Sequence, residues 1–247
     1  MAETAENGRI RIAAVADVHF GASGKHPVPD FCELAAGADV LLLCGDLTDH
    51  GRIAEAEGLV KELSRVNIPI LAVLGNHDFE AGEADALLQV LADGRVQVLD
   101  GDACEIAGVG FVGTKGFAGG FGRGTLGAWG EPAIKTFVQE AVHEALKLES
   151  ALARLRTPRR LALLHYSPIR GTVEGEPPEI YPWLGTSRLE EPLDRYCVTA
   201  VFHGHAHGGS PEGRTLGQIP VHNVSLPLWR RCSPDRPFKL LTIDGDD

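Results

Sequence analysis

Five apolar runs punctuate the chain, and each one stops on a polar donor. Residues 11–16 run into Asp17-Val18-His19, and residues 38–44 into Gly45-Asp46-Leu47-Thr48-Asp49. Residues 68–74 end on Gly75-Asn76-His77-Asp78, residues 161–164 on His165, and residues 198–202 on His203-Gly204-His205-Ala206-His207. Aliphatic runs of this length without alternation predict strands buried on both faces of a sheet. The donors then lie just past the carboxyl ends of the strands, the edge at which open α/β sheets bind ligands.

Between these runs the period changes. Ala54, Leu59, Val60, Leu63 and Val66 fall at helical spacing among charged residues, which predicts an amphipathic helix over 53–66. With a short helix at 29–36, the first three strands form a right-handed β-α-β-α-β unit. Further helices are predicted at 84–91, 132–155 and 187–195. Short strands at 96–99, 103–106 and 110–113, separated by Gly and Asp turns, predict a meander. A hairpin at 214–217 and 220–224 and a last strand at 238–243 close the pattern.

Two stretches have no period. Residues 113–130 are rich in Gly and carry Lys115, Phe117, Phe121, Arg123 and Trp129; residues 166–185 carry Arg170, Tyr181 and Trp183. Long loops in compact domains are usually functional, so both are expected to wall an active site. Lys115, Arg123 and Arg170 are the candidate substrate-binding cations and the aromatics the candidate packing surfaces. The competing reading is that the rings anchor the loops to the core or form an oligomer contact.

Length and composition narrow the class. The 247 residues, 44% hydrophobic and 23% charged, suit one α/β domain spanning 1–247 with a flexible polar segment at 1–8. No apolar run has membrane-spanning length, and residues 1–8 lack the features of a secretory signal; a cytoplasmic location is expected. Five widely spaced cysteines without a Cys-x-x-Cys pair signal free thiols. A net charge of −11 disfavours nucleic acid and anionic membranes as partners. The oligomeric state is not legible.

Seven side chains gather at the strand ends: Asp17, His19, Asp46, Asn76, His165, His205 and His207. All are oxygen or imidazole donors, a set that suits Mn, Fe, Co, Ni or Zn better than Ca or Mg. Seven donors exceed one site. Two divalent ions sharing a carboxylate fit the count, as in the clamp used for in-line attack on phosphorus.

The ordered set Asp17-x-His19, Gly45-Asp46-x-x-Asp49, Gly75-Asn76-His77-Asp78, His165 and Gly204-His205-Ala206-His207 resembles the calcineurin-like metallophosphoesterase superfamily. The resemblance implies a β-sandwich flanked by helices, a four-layer α/β/β/α arrangement. It also implies that Asp17, His19, Asp46 and His207 hold one metal, and Asp46, Asn76, His165 and His205 the other. A hydroxide bridging the metals would attack phosphorus, with His77 as the catalytic histidine protonating the leaving group and Asp78 orienting its ring. Asp49 is expected to support the site or cap the next helix, and His203 to be packed and hydrogen-bonded. His222-Asn223 is left as a possible support.

Protein phosphatases of the superfamily read Gly-Asp-x-x-Asp-Arg-Gly and Gly-Asn-His-Glu, whereas His50 and Asp78 stand here. The pattern is more similar to bacterial cyclic-nucleotide phosphodiesterase-like members. The implied activity is hydrolysis of small phosphate esters, diesters first and nucleotides among them. The alternatives are a phosphomonoesterase, a nucleotide pyrophosphatase, or a non-catalytic metal-binding scaffold of the kind found in retromer.

Overall fold

The computed structural model describes residues 9–21 and 29–244. The segment expected to be flexible, 1–8, lies outside the described residues.

Two sheets carry the fold. The first has the order β11-β1-β2-β3-β4, built from β1 (Ile10–Val15), β2 (Val40–Cys44), β3 (Ile70–Val73), β4 (Val96–Val98) and β11 (Lys239–Ile243). Strands β1 to β4 run parallel and β11 joins β1 antiparallel. The second sheet has the order β5-β6-β7-β8-β10-β9. Its strands are β5 (Asp102–Ile106), β6 (Val109–Gly113), β7 (Arg159–Leu163), β8 (Ala200–His203), β9 (Glu212–Arg214) and β10 (Pro220–Asn223).

The aliphatic runs are continuous because both faces of each central strand are covered. Ile12, Ala14, Val40, Leu42, Leu71 and Val73 pack between the sheets against Val109, Phe111, Leu161, Leu163 and Phe202. Their alternates Ala13, Val15, Leu41, Leu43 and Ala72 meet α1 (Phe31–Ala35), α2 (Ile53–Leu63) and α3 (Ala84–Asp93) through Phe31, Leu59, Leu63, Leu87 and Leu91. On the far side Val112, Ala162, Leu164 and Val201 meet α4 (Pro132–Arg154) and α6 (Glu190–Arg195) through Leu148, Leu152 and Leu193. Each such leucine contributes roughly 1.5–3 kcal/mol by burial. The result is the expected order of helices, sheet, sheet and helices.

The meander is corrected. β4 pairs parallel with β3 in the first sheet, whereas β5 and β6 form an antiparallel hairpin in the second. α3 acts as a crossover that returns the chain beside β3 before it changes sheet. Two short helices also depart from the reading. α5 (Tyr181–Leu184) interrupts the second long loop, and α7 (Leu226–Cys232) follows β10.

The sheets are joined at one edge. Ala16, next after β1, donates its N–H to Val224 O at 2.9 Å and accepts from Leu226 N at 2.9 Å, beyond β10. The carboxyl ends of strands from both sheets therefore meet at a single rim.

Candidate metal centre

Each candidate donor follows a strand, and the backbone turns sharply there. Asp17, His19, Asp46 and His205 have φ of 56°, 43°, 49° and 68°, a left-handed conformation that costs non-glycine residues about 1–3 kcal/mol and collects at functional sites. Adjacent glycines admit the neighbouring motifs. A Cβ on Gly45, itself at φ +85°, would stand 2.4 Å from His165 Nδ1, and one on Gly75 would stand 2.1 Å from Asp46 Oδ1. The Gly-Asp and Gly-Asn pairs read in the sequence are thus a steric requirement of one ligand loop on another.

The backbone also aims the carboxylates. His205 N donates to Asp17 at 3.0 and 3.1 Å, and His77 N donates to Asp46 Oδ1 at 2.9 Å. Three clusters result among the described residues, one of which joins His19 to Asp49 and His77, while the other two hold expected ligands alone. Asp17, His19 and His207 bring ligand atoms within 4.8 Å of one another, and Asp46, His165 and His205 do the same. Asp46 faces both, with Oδ1 3.4 Å from His165 Nε2 and Oδ2 3.8 Å from His19 Nε2. Asn76 Oδ1 stands 3.0 Å from His165 Nε2. All seven predicted donors gather at this rim.

The donor chemistry fits a cation. His165 is fully buried, and its Nδ1 must donate to the Cys44 carbonyl 3.1 Å away. In the neutral ring, Nε2 then turns its lone pair toward the Asp46 carboxylate. Something positive has to stand between them. With no metal, burial opposes a charged ring, but Asp46 and then Asp17 outweigh it and raise His165 to about 9. Burial likewise opposes ionisation of Asp46, and the charges of His165, His77 and His19 override it and lower its pKa. His205 goes the other way: burial and His165 depress it to about 4. Its Nε2 donates to Trp183 O at 3.1 Å, which leaves the Nδ1 lone pair available to a cation.

His77 lies beside the cluster of Asp17, His19 and His207, its ring 4.7 Å from that of His19. Its orientation differs from the expectation. Nδ1 donates to the Asp49 carbonyl at 2.9 Å, so Asp49 rather than Asp78 fixes the ring. Asp78 is fully buried and accepts from Leu47 N, Thr48 N, Thr48 Oγ1 and Gly75 N. Burial and Asp46 push its pKa up to about 6. It clamps the Asp46 loop to the Asn76 loop, and the expected catalytic part for Asp78 is corrected to a positioning one. Asp49 does not cap α2; Glu55 accepts from Arg52 N at 3.3 Å there.

The expected loop cations separate. Lys115 sits beside the centre, its carbonyl accepting from His165 N at 3.0 Å. Arg123 and Arg170 instead line a groove of about 760 Å³ with Phe121, Ile169, Arg214 and Leu216, and none of the candidate ligands lines it. Arg170 stacks on Tyr181 at 5.6 Å and faces Glu174 at 3.5 Å.

Supporting residues were harder to read. Asn223 donates to Ala206 O at 2.8 Å, between His205 and His207, and its carbonyl accepts from Trp229 Nε1 at 2.7 Å. This gives the open His222-Asn223 pair a task. His203 is fully buried, with Nδ1 donating to Gly204 O and Nε2 accepting from Thr172 Oγ1, each at 2.8 Å. Thr172, on the loop after His165, carried no signal in the sequence.

A two-sheet α/β/β/α scaffold with Asp and His clusters on the rim shared by its sheets defines a class of metal-dependent hydrolases. The calcineurin-like phosphoesterase family model matches residues 10–209, and the chain belongs to that family. It is a metal-dependent phosphoesterase. Among solved structures, the phosphopantetheinyl hydrolase PptH from Mycobacterium tuberculosis is similar, with a TM-score of 0.68 and 17% identity. The match covers 96% of this chain and 97% of that one. TT1561 of Thermus thermophilus gives 0.59 and 17%, covering 95% and 98%. No curated protein matches the sequence. These likenesses concern the fold. Among the described residues, no helix is long and apolar enough to cross a membrane.

Proposed function

We propose that the protein hydrolyses phosphodiesters at a centre of two divalent ions. Asp17, His19, Asp46 and His207 would hold one ion, and Asp46, Asn76, His165 and His205 the other. The observation that carries this reading is the placement of Asp46, one oxygen toward each cluster. Bound there, such ions supply Lewis acidity toward the phosphoryl group and lower the pKa of water to about 7. Mn, Fe, Zn, Co and Ni all suit the donors.

The residues themselves do three things. Buried Asp17 and Asp46 set the charge of the site, fixed by N–H groups from other motifs. The clamp of Asp78 keeps the loops bearing Asp46 and Asn76 at contact distance. His77, with Nδ1 committed to Asp49 O, has Nε2 left for the departing ester oxygen, to which it delivers a proton.

Preference for diesters rests on the motif set, which is more similar to cyclic-nucleotide phosphodiesterase-like members, since His50 and Asp78 stand where protein phosphatases of the superfamily have Arg and Glu. Because both sheets contribute donors, the chain works as one catalytic domain.

The test is metal analysis joined to hydrolysis of bis-4-nitrophenyl phosphate, 4-nitrophenyl phosphate and a cyclic nucleotide. Two ions per chain and faster turnover of the diesters are expected. Faster turnover of the monoester would reverse the diester preference. Full loading without turnover of any of them would make the chain a metal-binding scaffold.

A further inference from the structure

Resting on that reading of the centre, we propose that Lys115 and the rings around it form a subsite for a second anionic group on the substrate, next to a planar organic moiety. Lys115 Nζ lies 4.9 Å from the centre of the Phe117 ring, 5.4 Å from Tyr166 and 5.7 Å from Phe79. Its one hydrogen bond goes to Gly116 O at 3.0 Å, and it has no ion-pair partner among the described residues. An ammonium has three donors. Aromatic faces attract a cation without neutralising it, so this charge is housed but not matched.

Two acids of α4 act on Lys115 through space, Glu144 and Glu140; neither forms an ion pair with it among the described residues, and Glu144 is already engaged. Glu144 accepts from Thr114 Oγ1, Gly116 N and Lys147 Nζ. An anion for Lys115 therefore has to come from outside, and the surroundings say from where. Phe79 belongs to the short turn that carries His77. The Tyr166 ring stands 4.4 Å from His205 and 5.5 Å from His165. Lys115 thus lies between the His77 side and the His205 side of the centre, one ring removed from the ligands.

The apolar half of the subsite is exposed. Phe79 is 45% and Trp183 59% accessible. Trp183 is joined to the centre through its carbonyl, which accepts from His205 Nε2, and to Lys115 through Phe137 and Phe117, ring to ring at 5.5 and 5.0 Å. Phe79, an open ring beside the caged ammonium, and Trp183, an open ring two rings removed from it, match a planar base next to a phosphate. The substrate class is a phosphoester whose organic part carries a planar ring and a further phosphate.

Calorimetric titration of the metal-loaded protein with adenosine 5'-phosphate and adenosine 3',5'-bisphosphate tests this. The bisphosphate should bind roughly 10- to 100-fold more tightly, the range of a charge-assisted contact. Lys115→Met should abolish that ratio, and Lys115→Arg should keep most of it. Equal affinities in the unaltered protein, or a ratio that survives Lys115→Met, would overturn the subsite. The first of these needs no variant. Hydrolysis of bis-4-nitrophenyl phosphate is scored separately: its absence would sink the diester reading, whereas its presence with equal nucleotide affinities would sink the subsite alone.

Discussion

At the scale of single residues, side chains that look alike in the sequence divide into separate tasks. Asp46 touches both clusters, so Asp46→Asn should lower metal content at both sites and activity by more than the roughly 10- to 100-fold typical of a lost supporting contact. Elemental analysis of the variant checks it; two retained ions would refute the shared role. His77 and Asp78 are adjacent yet opposite. His77→Ala should keep metal and lose about 10²- to 10⁴-fold in turnover, less for esters with acidic leaving groups. Asp78→Ala should instead lower thermal stability, since it strands buried donors at Leu47, Thr48 and Gly75, each worth about 1–3 kcal/mol. A stable Asp78→Ala protein with intact metal content would remove its clamping part.

At the scale of elements, loops are held by partners from distant segments. The turn bearing His205 and His207 rests on Asn223 at the end of β10, which meets Ala206 O. Asn223→Ala should weaken metal affinity by roughly 10- to 100-fold with the fold retained, as loss of an outer support does. Metal titration of the folded variant is the measurement, and unchanged affinity would show that the turn holds itself. The elements also explain what could be read in advance. Strands β1, β2, β3, β7 and β8 were legible because burial on both faces leaves an unbroken aliphatic run. β4 was misplaced because three residues, Val96–Val98, carry too little pattern to choose a partner. That choice was made by α3, packed where it returns the chain to β3.

At the scale of the whole molecule, stability should follow the state of buried histidines. His222 is held neutral, mainly by burial and then by Lys239, with its pKa depressed to about 4. An unfolded histidine titrates near 6.5. Between these values the unfolded chain binds more protons, so this contribution is complete above about pH 6.5 and is lost as pH falls toward 4. The loss is on the order of 3 kcal/mol at the acid end. His222→Phe, beside the Phe202 ring at 5.4 Å, should flatten this dependence. Melting in chelator at pH 7.5 and 4.5 compares the two proteins; equal losses would assign the acid sensitivity elsewhere.

The sequence by itself determined the donors and their order, because a buried strand must stop where a charged or amide side chain begins. It also determined the glycines that let those loops touch. It did not determine which sheet β4 would join, that Asp78 would turn from His77 toward Thr48, or that Arg123 and Arg170 would leave the metal rim. Those were decided by tertiary contacts. Asp17, His19, Asp46 and Asn76 follow strands of one sheet, and His165, His205 and His207 follow strands of the other. Only the packing of the two sheets, stitched where Ala16 meets Val224, brings His165, His205 and His207 within a metal's reach of Asp17 and Asp46. Local pattern records what each segment buries, and it carries no record of which distant segment will supply the other half of a site.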